Sequence, residues 1–297
     1  MIKSISNKRC TQPLVSVCIP TSNSAKFIVT ALGSVINQTY KNIEILIVDN
    51  NSNDETISLI NNFSDPRIHI LKIKNYGSIA ASRNLAIKSS KAEWIAFLDS
   101  DDFWSLNKLE TCSKYFNNSV DFIYHNLYVV TKNSNEVQGK LTCKKLRKPI
   151  FENLISDGNR IATSSVVVKK KLLEEVNYMN ETLDMAGTED YNTWLKISQL
   201  TDNFKRINRY LGSYRIHDQN FSKKTNSTFP LHAIDGFIPQ LDNKVLNQLN
   251  SNRKYTELRM NYMQKSNSMS RIEIFKLFTK TVGLRKYKVL YMAIFKK

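Results

Sequence analysis

Trp94-Ile95-Ala96-Phe97-Leu98-Asp99-Ser100-Asp101-Asp102-Phe103-Trp104 is the stretch on which the reading of this chain turns. Trp94 to Leu98 is apolar and aromatic-rich, a run of strand length, and it breaks abruptly into Asp99, Ser100, Asp101 and Asp102. Like charges a few ångströms apart repel unless a cation or a shared proton relieves them. Oxygen ligands suit a hard divalent ion, Mg2+ or Mn2+, which takes one or two carboxylates together with water and substrate phosphates. The simpler role is capping, with Asp101 or Asp102 opening a helix near Ser105. A cap requires one carboxylate, whereas three are present here.

Upstream, Leu14 to Ile19 reads as a strand ended by Pro20, followed by the polar loop Thr21-Ser22-Asn23-Ser24 and a helical pattern through about Gln38. Ile43 to Val48 is a second strand and runs into the polar stretch Asp49 to Asp54. Ile57, Leu59, Ile60 and Phe63 then mark a helix, with Asp54 placed to cap it. Ile68 to Ile73 makes a third strand and Ser78 to Ser89 a third helix. This alternation predicts an α/β fold: a mainly parallel sheet with right-handed crossovers and helices on both faces. Ligands of such sheets bind beyond the carboxyl ends of the strands. Pro20 to Asn23, Asp49 to Asp54 and Asp99 to Asp102 are therefore expected to converge on one crevice.

After about Phe116 the rhythm changes. Phe122 to Val130 reads as a strand, Asn133-Ser134-Asn135 as a turn, Phe151 to Ile155 as a short helix and Ile161 to Val168 as another strand. Tyr191, Trp194, Leu195 and Ile197 recur at helical spacing from Thr188 or Glu189 to about Leu200, and a strand-like stretch ends at Tyr214-Arg215-Ile216-His217. Residues 1–222 thus read as one domain with two halves, about 13–116 and 117–222, and 223–297 as a basic, helical C-terminal extension.

The chain has 297 residues and a net charge of +17, which favours anionic partners: phosphates, acidic lipid head groups or nucleic acid. No CxxC pair links Cys10, Cys18, Cys112 and Cys143, so neither a zinc site nor a redox dithiol is expected, and a reducing cytoplasm fits best. There is no signal-peptide pattern and no apolar run of spanning length. Only 8 glycines occur, with no GxGxxG and no Walker A loop, which argues against dinucleotide-binding dehydrogenases and P-loop enzymes. HExxH and GxSxG are also missing. Arg271 to Lys297 alternates basic with apolar residues in an amphipathic pattern suited to an anionic membrane surface. The same apolar stripe would equally serve pairing with a second subunit or packing on the domain.

Taken in order, Val17-Cys18-Ile19-Pro20-Thr21 with Asn23, Ile47-Val48-Asp49-Asn50 with Ser52 and Asp54, Ala81-Ser82-Arg83-Asn84, Asp99-Ser100-Asp101-Asp102 and Glu189-Asp190 resemble the inverting family 2 glycosyltransferases, with the Rossmann-like GT-A fold. The likeness spans roughly residues 13 to 217. It implies that Pro20, Thr21, Asn23, Asp49 and Asp54 surround the nucleotide of a sugar donor, and that Arg83 and Asp99 lie near its sugar and nucleotide. Asp101 is implied as ligand to the Mn2+ or Mg2+ that bridges the two phosphates, and His217 as a further metal or diphosphate contact, with Arg215 as an alternative. Glu189-Asp190 matches the family's acidic pair, whose second residue is the general base. A sugar hydroxyl is a poor nucleophile, so a neighbouring carboxylate must accept its proton as it attacks. Ser22 departs from the pattern, since an aromatic often follows the threonine.

The resemblance implies transfer of a hexose or N-acetylhexosamine from a nucleotide diphosphate sugar, commonly a UDP-sugar, to a polyprenyl-diphosphate-linked saccharide at the inner face of a bacterial membrane, in O-antigen or capsule synthesis. Two competing readings are a nucleotidyltransferase, which also pairs aspartates with a metal, and a basic nucleic-acid-binding module. No RRM, KH or zinc-finger signature supports the latter, so nucleic acid is not expected as a partner.

Overall fold

The computed structural model describes residues 12–132, 134–218 and 231–264. They fall into two compact units, one of Met1–Lys145 with Ile161–His217, the other of Leu146–Arg160 with Asp218–Lys297. Cys10, Asn133 and the basic segment Arg271 to Lys297 lie outside the described residues.

The first unit is built on a mixed sheet. Strands β1 (Val15–Thr21), β2 (Ile43–Asn50), β3 (Ile68–Ile73) and β4 (Trp94–Phe97) run parallel in the spatial order β3-β2-β1-β4. Every residue of β1 is buried, as expected of a central parallel strand covered on both faces. Helices α1 (Ile28–Ile36), α2 (Thr56–Asn61) and α3 (Ile79–Ser89) are the crossovers. Ile28, Ala31, Leu32 and Val35 of α1 join Val17, Ile19, Ile45, Ile47 and Trp94 in the core.

Beyond β4 the sheet continues through β8 (Val167–Lys169), antiparallel, then β6 (Phe122–Thr131) and β9 (Phe204–Ile216), which pair in parallel. Two strands escaped the sequence reading. β7 (Ser134–Leu141) forms a hairpin with β6, and β5 (Phe103–Trp104) pairs with Gly212 and Ser213 of β9. Gly212 is required there, because a Cβ would meet the Phe103 carbonyl oxygen at 2.9 Å. This pairing brings the end of β9 beside Asp101 and Asp102.

Three boundaries differ from expectation. The helix expected near Ser105 is α4 (Lys108–Ser113), with Asn107 at its N-cap position, so Asp101 and Asp102 cap nothing. Asp54 precedes the N-cap position of α2, which Glu55 holds, but its carboxylate still accepts from the Thr56 N–H at 3.0 Å and hydroxyl at 2.5 Å. Ile161 to Val168 is a strand only over its last residues. Thr163–Ser165 is a 3-10 turn, closed by bonds from the Ser165 N–H to the Ala162 carbonyl and from the Val166 N–H to the Thr163 carbonyl.

Helices α5 (Ile150–Asp157), α6 (Lys170–Glu175) and α7 (Glu189–Leu200) follow in sequence, α7 burying Tyr191, Trp194, Leu195 and Ile197. In the second unit Phe151 of α5 packs edge-on against Phe237 at 5.6 Å. There Asn252, in a helix over Asn243–Gln264, donates to the Ser156 carbonyl. No helix among the described residues is long and apolar enough to cross a membrane. Cys18, Cys112 and Cys143 are buried free thiols.

Candidate active site

The loops after β1 and β2 are laced together at the strand ends. Thr21 lies opposite Asp49 in register, and Asp49, 3% exposed, accepts a 2.5 Å bond from the Ser52 hydroxyl. Asn23 takes a left-handed φ of 49°, which asparagine tolerates better than most residues. Its N–H donates to Ser52 Oγ at 2.9 Å and its side-chain oxygen accepts from the Asn53 N–H at 2.9 Å. Asp54 accepts from the Ala25 N–H. Pro20, Thr21, Asn23, Asp49 and Asp54 thus come together. Thr21 Oγ1 is buried with no hydrogen-bond partner among the described residues.

Ser24 ties this corner to the acidic loop through a 2.8 Å bond with Ser100. In that loop Asp102 is 1% exposed and accepts from the Arg215 N–H at 2.9 Å. Burial, with Asp101 and Asp99 adding repulsion, pushes its carboxyl well above the usual range. Asp101 is raised by burial and by Asp99, with His217 opposing. His217 Nε2 lies 2.7 Å from Asp101 Oδ2, its ring stacked on Phe27 at 4.8 Å. Arg215 donates from Nε to the Asp101 carbonyl, from Nη1 to the Thr131 carbonyl and from Nη2 to Asn135 Oδ1. Phe27 and Phe103 each lie 5.4 Å from its guanidinium carbon. Nε thus binds the acidic loop, and the two terminal nitrogens bind the hairpin of β6 and β7.

Among the described residues no three His, Cys, Asp or Glu side chains converge as a complete metal cage. One carboxylate and one imidazole in direct contact still suit a cation whose other ligands are water and substrate phosphate.

Arg83 links the acidic loop to the start of α7. It is 3% exposed and donates to Asp99 at 2.7 Å and to Glu189 at 2.8 Å. Burial works against its charge, but Asp99 and Glu189 outweigh that and raise its pKa. Next to Glu189, Asp190 accepts from the Thr163 hydroxyl at 2.6 Å and from the Tyr191 N–H. Burial, then the charge of Glu189, raise its carboxyl to about 6, with Thr163 and Arg83 pulling the other way.

Sequence reasoning missed Thr163 and Ser164, which no motif marks. Ser164 Oγ accepts from the Asp99 N–H at 3.1 Å and its carbonyl from Trp104 Nε1 at 2.8 Å. Asn84 stands in a quoted motif without an assigned task. Its amide brackets Met179, accepting from the N–H and donating to the carbonyl, and donates also to Glu181.

A βαβ sheet continued by mixed strands, with a polar crevice at the strand ends, defines the class: a GT-A glycosyltransferase. Residues 16–175 match the family model Glycosyl transferase family 2. The chain is 35% identical over 212 residues, 70% of its length and 79% of the relative's, to the UDP-Glc:alpha-D-GlcNAc-diphosphoundecaprenol beta-1,3-glucosyltransferase WfgD of Escherichia coli. It is 31% identical over 205 residues, 69% of its length and 78% of the relative's, to WfaP of the same organism, which bears the same description. The chain therefore belongs to glycosyl transferase family 2 and is an enzyme of sugar transfer. Among solved structures, S. aureus TarS in complex with UDP-GlcNAc covers 95% of this chain, and the likeness spans 79% of that chain at a TM-score of 0.63 and 18% identity. The mannosyltransferase PcManGT from Pyrobaculum calidifontis, in complex with GDP-Man and Mn2+, gives 0.63 at 15% identity over 96% of this chain and 85% of its own. Identities this low speak for the fold alone.

Proposed function

We propose that the enzyme transfers glucose from UDP-glucose, with inversion, to the N-acetylhexosamine of a polyprenyl-diphosphate-linked acceptor, a step in building a bacterial surface polysaccharide. The observation that carries this reading is the Asp99–Arg83–Glu189 bridge, which fixes the acidic loop against the acidic start of α7. The donor and acceptor chemistry is that of WfgD and WfaP.

In this reading Thr21, Asn23, Asp49 and Asp54 hold the nucleotide, with Pro20 inside β1 just before Thr21. Arg83 and Asp99 orient the donor sugar. Asp190 takes the proton of the acceptor hydroxyl. The oxygen bonds to the anomeric carbon from the face opposite the diphosphate, the carbon–phosphate-oxygen bond breaks, and UDP leaves with the electron pair. A carboxyl near 6 is ionised at neutral pH yet more basic than an ordinary aspartate, which suits a general base. Asp101 and His217 would hold Mn2+ or Mg2+, which when bound supplies positive charge against the departing diphosphate.

The sequence of Arg271 to Lys297 supports reversible docking on an anionic inner-membrane surface, where each basic residue contributes about 1 kcal/mol. Liposome co-sedimentation tests it: binding that survives truncation after Ser270 removes that role. The function itself is tested by UDP release from UDP-glucose with a synthetic α-GlcNAc diphosphate bearing an alkyl chain. Release of pyrophosphate from a sugar phosphate and UTP would instead make the enzyme a nucleotidyltransferase.

A further inference from the structure

The hairpin of β6 and β7 and the neighbouring strand β9 carry a cationic face that the proposed chemistry does not use. From Leu127 to Lys145 the chain holds Lys132, Lys140, Lys144 and Lys145 against Glu136 alone, and from Lys205 to Ile216 it holds Lys205, Arg206, Arg209 and Arg215 with no acidic residue. Lys140, Lys145 and Arg209 are exposed, and none of the three has a carboxylate partner among the described residues. β7 pairs with β6 alone among the described strands, so the hairpin stands at the margin of the sheet.

Two tyrosines stand among these charges. Tyr128 and Tyr210, both half-buried, stack at 4.7 Å, and Lys140, opposite Tyr128 in register, holds its Nζ 5.4 Å from the Tyr210 ring centroid. Val137, 52% exposed, and Leu141, 38% exposed, add apolar surface on β7. Cations mixed with amphipathic rings and aliphatic side chains suit a lipid head-group layer, where the charges meet phosphates and the rings sit at the boundary with the acyl chains. Single-stranded nucleic acid is held by bases stacking on open aromatic rings, and these two rings are stacked on each other instead.

The position of the face adds to the case. Thr131 lies three residues beyond Tyr128, about 10 Å along the strand. Its carbonyl accepts from Arg215, which also donates to the carbonyl of Asp101. A head-group layer against the hairpin is therefore close to the acidic loop.

We propose that this face docks the catalytic unit on anionic phospholipid, with Lys140, Lys145 and Arg209 against lipid phosphates and Tyr128 and Tyr210 at the head-group boundary. The proposal rests on the lipid-linked acceptor of the preceding section and adds a contact separate from Arg271 to Lys297. Docking here brings the acidic loop to the surface that presents the acceptor.

The test is co-sedimentation of the full chain with phosphatidylcholine vesicles containing increasing phosphatidylglycerol. Binding is expected to rise with phosphatidylglycerol and to fall with salt. The triple variant Lys140→Glu, Lys145→Glu and Arg209→Glu, with the C-terminal segment intact, is expected to lower partitioning onto the vesicles by about tenfold or more, and the matching triple change to Gln by a smaller factor. Melting temperatures, together with UDP release to a water-soluble short-chain acceptor kept within about twofold, establish that the variants fold. If the Glu variant melts lower, the Gln variant decides. Wild-type vesicle binding in a folded triple variant overturns the proposal, as does tighter binding to a single-stranded RNA oligonucleotide than to the vesicles at equal salt. Sedimentation needs no turnover, so loss of vesicle binding in the variants upholds the face even where α-GlcNAc diphosphate fails as acceptor.

Discussion

Arg83 donates through Nη1 to Glu189 Oε1 at 2.8 Å, a contact between residues 106 positions apart in sequence. Its other arm meets Asp99. The planar fork fixes the separation of these two carboxylates, one in the acidic loop and one at the start of α7. Lysine presents a point charge and cannot hold both in one geometry. Arg83→Lys is therefore expected to lower kcat/KM by about 10²-fold, the scale of an ångström-sized misplacement. Arg83→Met strands a buried Glu189 and should cost about 3–5 kcal/mol in urea denaturation. Near-normal turnover in Arg83→Lys would show that the bridge does not set the reacting geometry.

Asp190 gives the enzyme an expected pH profile. A general base works only when ionised, so kcat/KM should rise with pH through about 6 and level off above it. The Thr163 hydroxyl stabilises the ionised form, so Thr163→Val should move the acid limb to higher pH. Asp190→Asn should lower kcat by about 10²- to 10⁴-fold while calorimetric UDP-glucose affinity is kept. A Thr163→Val profile superimposable on the wild type would detach Asp190 from the limb.

Much of the parallel half was legible because period and punctuation agree there: β3 runs over the expected Ile68–Ile73, and Ser78 is the N-cap of α3, its hydroxyl accepting from the Ala81 N–H. The mixed half was less so. Phe103-Trp104 is too short to show a period, and Ser134–Leu141 is polar and largely exposed, with little apolar alternation to reveal a strand. Thr163 and Ser164 were illegible for another reason. Their task is to satisfy Asp190 and the Asp99 N–H, groups remote in sequence, so only the folded chain links them. The crowding of carboxylates at Asp99 to Asp102 was plain, but not that Asp102 would be spent on the Arg215 backbone.

Asp101 and His217, in contact at 2.7 Å, give an expected metal response. Two protein donors leave a cation dependent on the diphosphate for its remaining ligands, so Mn2+ should bind far more tightly with UDP present than without it. Calorimetric titration of Mn2+ into the chain, with and without UDP, measures this directly. His217→Ala should weaken Mn2+ binding in the UDP complex by about 10- to 100-fold, the loss typical of disturbed metal sites. Turnover should stop in EDTA and return with Mn2+ or Mg2+. Full turnover in excess EDTA, with equal Mn2+ affinity in the variant, would remove both residues from a metal role.

Lys108 is buried in α4 with no hydrogen-bond partner for Nζ among the described residues, and Nζ lies 3.4 Å from the Trp104 ring centroid. Burial pulls its pKa down to about 7. The ring face favours the charged form and offsets part of that cost. Because the folded value is below the unfolded value of 10.5, the unfolded chain binds more protons between about pH 7 and 10.5. Stability should accordingly rise with pH across that window, by up to about 1.4 kcal/mol per unit. Lys108→Met keeps the volume and removes the charge. It should flatten the profile and stabilise the enzyme at pH 7 by roughly 3–5 kcal/mol at most. Urea denaturation of both proteins at pH 7, 8 and 9 decides the matter, and equal slopes would mean that Lys108 keeps its charge in the folded protein.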